Sequence, residues 1–125
     1  MPVQPGLSGR VSLVVVENDT ALALGSGDVL VLATPRLIAL CEEAACLAVD
    51  GMLDEGHTSV GVRVQFDHLA PVRTGSEIVA EATLEKVEGR RLLFTVTATD
   101  AAGLVGAGKL TRVVVERGDF LAKAR

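Results

Sequence analysis

The chain has 125 residues and a mean hydropathy of +0.42, which fits one domain with a real core and argues against disorder. A net charge of −4 and only 2% aromatic residues, with no Trp or Tyr, leave no basic footprint and few stacking platforms, so nucleic acid is not an expected partner. No apolar run is long enough to cross a bilayer and MPVQPGLSGR lacks a signal-peptide pattern, so no membrane association and a cytoplasmic location are expected.

Along the chain, residues 10–17 (RVSLVVVE) read as a first strand, and GSGD at 25–28 marks a loop before the short apolar segment 29–32. Residues 35–52 form the one convincing helix. Thr34 stands as a candidate N-cap before a proline at the first helical position, and Gly51 lies near the end. Strands follow at 58–68, 77–87, 91–99 and 104–116, separated by turn signals such as PVRTG and DAAG. One early helix followed by four strands in a meander predicts an α+β domain over residues 1–125, with an antiparallel sheet wrapped around the helix. The long Val-rich strands 10–17 and 104–116 are expected edges. Pairing between subunits would protect them, which predicts a homodimer or a larger assembly such as a tetramer.

Polar residues in apolar company are the candidates for chemistry. Counting back by twos from His68 gives Phe66, Val64, Val62 and Val60, so the imidazole is expected on the buried face of its strand. On the helix, Arg36, Glu43 and Asp50 form one polar stripe, whereas Glu42 is surrounded by Ile38, Ala39, Ala45, Cys46 and Val49. Glu42 is either a helix-edge carboxylate whose stem reaches water or a buried acid that needs a partner. His68 is either a satisfied strand-end histidine or that partner's neighbour in a site. His57 sits in the EGHTS loop and is expected to be exposed. Arg112, among valines in the last strand, is either an edge charge or a pocket residue. Cys41 and Cys46, about 140° apart around the helix, suit neither a disulfide nor a metal pair and are expected to be small buried hydrophobes. No metal site is expected.

A carboxylate and an imidazole sharing one small core are what acyl-group hydrolysis needs. The surrounding residues strengthen that reading: AT at Ala33-Thr34, the Glu of LCEEAAC, the Gly of SVGV, the His of DHLAPVRTG, VEGRR at 87–91 and GAGKLTR at 106–112. Without a gap from about Ala33 to Arg112, the chain resembles the hotdog-fold acyl-CoA thioesterases, and within them the fluoroacetyl-CoA-specific thioesterase family. The resemblance implies that Thr34, Glu42 and His68 are catalytic, that Gly61 sets a backbone N–H beside the thioester carbonyl, and that Arg112 assists in the pocket. It further implies an acyl-CoA substrate, no separate cofactor because coenzyme A is part of that substrate, and a site at a dimer interface. The family's lid phenylalanines are replaced by GSGD at 25–28, which points away from fluoroacetyl selectivity and toward another small or medium acyl group. A non-catalytic acyl-CoA-binding hotdog protein is the alternative. A hotdog hydratase ranks last, because its Asp-to-His motif is not visible.

Overall fold

A computed structural model describes residues 3–125 of the chain. Strand β1 (Ser8–Val14) leads into a 3₁₀ turn at Glu17–Asp19, a short helix α1 (Ala21–Leu24) and the long helix α2 (Thr34–Ala48). Strands β2 (His57–His68), β3 (Glu77–Glu88), β4 (Arg91–Asp100) and β5 (Gly103–Glu116) follow, and a short helix α3 (Arg117–Ala122) comes last. The five strands form one antiparallel sheet in the order β1-β3-β4-β5-β2, with α2 against one face. The α+β architecture expected from the sequence is therefore present.

Strict alternation in β3 and β4 aims Ile78, Ala80, Ala82 and Leu84, and Leu92, Phe94, Val96 and Ala98, at the helix, where all are buried. Leu37, Leu40, Cys41, Ala44, Ala45 and Ala48 of α2 meet them. Small side chains allow the close approach. At Gly9 of β1 even a Cβ would collide with the Ala44 carbonyl.

Three expectations need correction. The strands are not a four-strand meander: β3, β4 and β5 are, but β2 crosses to the far side and pairs with β5. Residues 104–116 are consequently an inner strand, and the open edges are β1 and β2. The helix starts one residue early and ends at Ala48, with Ala33 as N-cap and Thr34 inside the first turn. Gly51, at φ +74°, turns the chain after the helix has ended. Cys46 is exposed; only Cys41 is buried.

The period-two count from His68 also breaks. A β-bulge at Val62 shifts the pairing between Gly61 and Arg63, so Gly61 lies opposite Arg112 while Val64 lies opposite Leu110. Val64, Phe66 and His68 share the helix-facing side with the buried Leu110, as expected, but Val60 does not. The extra residue instead turns Ser59 and Gly61 toward the helix, on the same side as His68. Along this edge Val62 and Val64 are 51% and 42% exposed.

Candidate active site

Two clusters of polar groups lie between α2 and β2. The first joins the start of the helix to the end of the strand: Thr34 Oγ1 and His68 Nδ1 are hydrogen-bonded at 2.8 Å. This bond is why Thr34 does not cap its own helix. Its hydroxyl is already engaged by the imidazole, and the N-cap position passes to Ala33, which has no capping side chain. The other ring nitrogen, Nε2 of His68, is buried with no hydrogen-bond partner, a state that usually costs 1–3 kcal/mol unless a ligand or neighbour relieves it. Thr34 and His68 line a cleft of about 390 Å³, walled by the α1 loop on one side and by Leu69 and Pro71 on the other.

The first turn of α2 is tied down around Thr34. Ala33 donates its N–H to the Asp19 carbonyl at 2.9 Å, and Arg36 Nε pairs with the Asp19 carboxylate at 3.0 Å. The second Asp19 oxygen accepts the Val16 N–H at 2.9 Å. Arg36, read from the sequence as part of a solvated stripe, is thus half-buried and committed to a loop residue.

The second cluster centres on Arg112, whose side chain is only 8% exposed. Its Nη1 donates to Glu42 Oε2 at 3.3 Å, its Nε to Ser59 Oγ at 2.9 Å and its Nη2 to the Ser59 carbonyl at 2.9 Å. Arg112 lies on the inner strand β5, so the edge-charge reading fails. The residue is a buried cation neutralised by Glu42. Glu42 has the partner that the helical wheel did not supply, and it keeps 36% of its side chain open to solvent. Gly61 closes the group: a Cβ there would stand 2.6 Å from Glu42 Oε2. A glycine here leaves the carboxylate in its observed position beside the bulged strand, and a larger residue would displace it.

Neighbouring residues complete the electrostatics. Burial, reinforced by the charge of Glu42, pushes the Cys41 thiol up to about 11, so it stays protonated and inert near neutral pH. His57 starts β2 and is exposed, as expected. Among the described residues no group of three or more His, Cys, Asp or Glu is placed to hold a metal, and no helix is long and apolar enough to span a membrane.

Thr34 and His68 therefore come together, and so do Glu42, Gly61 and Arg112, but as separate groups. Thr34 and Glu42 lie on one helix with about 12 Å of axial rise between them. Ser59 and Asp19 had no role in the sequence reading, and Arg36 had none beyond the polar stripe. Ser59 and Arg112 are 53 positions apart, and only the bulge at Val62 aims Ser59 at Arg112.

The family model described as fluoroacetyl-CoA-specific thioesterase matches residues 15–118. The chain belongs to this family. The fluoroacetyl-CoA thioesterase of Streptantibioticus cattleyicolor is 35% identical over 95 residues, covering 76% of this chain and 68% of the relative. A solved structure of the fluoroacetyl-CoA thioesterase superposes with a TM-score of 0.91 at 29% identity, covering 98% of this chain and 96% of that one. A Thermus thermophilus protein described as a thioesterase superfamily member gives 0.89 at 28% identity, over 97% and 90% of the two chains. As a member of the fluoroacetyl-CoA-specific thioesterase family the chain is a hotdog-fold thioester hydrolase, and its fold and class agree with the expectations above.

Proposed function

We propose that the protein hydrolyses a small or medium acyl-CoA thioester at a site assembled from two subunits. The observation that carries this reading is the placement of the two clusters on one exposed edge strand. His68 ends β2, Gly61 lies near its start, and about 23 Å of strand separates them. Two copies joined antiparallel along β2 about a two-fold axis would exchange those ends. The Thr34–His68 pair of one protomer would then face the Glu42–Gly61–Arg112 group of its partner, which removes the 12 Å problem. The same pairing would cover the open, apolar edge.

In such a site the Glu42 carboxylate takes a proton from water as the water oxygen bonds to the thioester carbon. The carbonyl oxygen becomes an oxyanion held by the Gly61 N–H, an interaction of a kind that contributes about 3 kcal/mol. The C–S bond then breaks and the sulfur leaves as a thiolate, a good leaving group that takes back the proton. His68, oriented by Thr34, shuttles that proton. Arg112 fixes the carboxylate in one rotamer. A direct attack by Glu42 on the carbonyl carbon would instead pass through an acyl-carboxylate intermediate. Single turnover in ¹⁸O-water identifies the second when water opens that intermediate at the Glu42 carbonyl carbon, because only this route places the label in Glu42.

A thiol-release assay over an acyl-CoA panel tests the proposal, with native protein, Glu42→Ala and His68→Ala. Turnover lost in both variants is expected. Turnover undiminished in both would remove these residues from the mechanism, and binding without turnover in the native chain would make it a ligand-binding protein.

A further inference from the structure

The cleft beside Thr34 and His68 has a composition of its own. Ala21, Val29, Val31, Leu32, Leu69 and Pro71 supply an aliphatic wall, and its ionisable lining residues are Asp28 and His68. No lysine or arginine lines it. The nearest basic residues along the chain are committed or turned away: Arg36 is paired with Asp19, and Arg73, bridged through its backbone to Val31, is exposed and outside the cleft. Asp28 lines the cleft, is exposed, and has no hydrogen-bond or ion-pair partner among the described residues.

We propose that Asp28 makes this cleft a charge filter for the acyl group, rejecting acyl chains that end in a carboxylate and accepting uncharged or amino-bearing ones. This rests on the reading that the cleft holds the acyl group of a thioester. A carboxylated chain entering it would meet a like charge with no lysine or arginine of the lining to offset it, and an Arg112 brought up by a second subunit arrives already paired with Glu42. An uncharged chain meets only the aliphatic wall. An ammonium group gains a counter-charge. Unit charges about 4 Å apart in a water-like medium differ by about fivefold in occupancy, and more where the bound chain excludes water.

The test compares propionyl-, malonyl- and β-alanyl-CoA, which share one chain length, in native protein, Asp28→Asn and Asp28→Lys. The readout is the ratio of kcat/KM between substrates within each variant, so overall losses cancel. Native protein is expected to disfavour malonyl-CoA, Asp28→Asn to narrow that preference at least about fivefold, and Asp28→Lys to reverse it. Equal handling of malonyl- and propionyl-CoA by native protein overturns the proposal, as does a ratio that neither substitution moves. Equilibrium binding of S-propyl-CoA and S-(2-carboxyethyl)-CoA, which cannot be hydrolysed, reads the same discrimination without turnover. A chain that shows this binding preference but hydrolyses nothing loses the thioesterase mechanism and keeps the filter.

Discussion

Replacing Gly61 with alanine separates the packing of the second cluster from its chemistry. The backbone of Gly61 is not among the positive-φ positions, so alanine can adopt it without strain. The new Cβ would stand 2.6 Å from Glu42 Oε2 and 3.5 Å from Arg112 Nη1. Ordinary contact is near 3.4 Å, so the carboxylate must retreat by roughly 0.8 Å, a movement its flexible end can make cheaply. The stability change is therefore expected to stay below about 1 kcal/mol. A catalytic group displaced by that amount loses about a hundredfold in rate, and the loss should appear in kcat. Thiol release under saturating substrate measures it, alongside urea denaturation. The decisive comparison is the stability change of Gly61→Ala by urea denaturation in a Glu42→Ala background, where no carboxylate remains to be displaced and the substitution should cost less than in the native chain. A stable Gly61→Ala protein with native kcat refutes the reasoning, and so does an equal stability loss in both backgrounds.

Other consequences follow from the same geometry. Arg112→Met should cost about 2 kcal/mol or more by urea denaturation, because Glu42 and the Ser59 carbonyl lose their donor. Part of that cost should disappear when Glu42→Gln is added. Asp19→Ala removes the partner of Arg36 and the cap on the Val16 N–H, with an expected loss of about 1–2 kcal/mol in stability. A thiol reagent at pH 8 should modify Cys46 rapidly and Cys41 only after unfolding. Since the folded Cys41 is raised from 9.0 to about 11, its contribution is complete below pH 9 and declines as pH rises toward 11. Native protein should therefore lose more stability over that window than Cys41→Ala, by roughly 1–3 kcal/mol; parallel pH profiles would contradict the shift.

How far the sequence could be read depended on the range of the interaction. The helix and the strands announce themselves through local periodicity, and β3 and β4 keep a strict alternation from end to end. The inward side of His68 was legible for the same reason. The count failed at Val62 because a bulge adds a residue without any sign in the local pattern, Gly61 and Val62 being ordinary strand residues on either register. Thr34 carried a strong local signal as an N-cap, and a non-local bond to His68 overrode it. Glu42 was identifiable as a carboxylate out of place, but its partner Arg112 is 70 positions away and is reached only because β2 crosses to pair with β5. The crossing is a topological choice that no short stretch encodes, and it also moved the open edge from residues 104–116 to β2. Cys46 was expected inside because a free cysteine that suits neither a disulfide nor a metal pair is commonly buried. The helix nonetheless buries one face against the sheet and leaves Cys46 and Leu47 outward.

The composite site is tested most directly by complementation. Glu42→Ala and His68→Ala proteins, each expected to be inactive alone, are mixed, allowed to exchange subunits, and assayed for thiol release from an acyl-CoA. If each site takes its carboxylate from one protomer and its histidine from the other, every mixed dimer carries one intact site. An equal mixture should then recover about a quarter of native activity, since half of the dimers are mixed. Activity that stays at the level of the separate variants, with subunit exchange verified, would mean that the two clusters do not complete one another across the β2 edge.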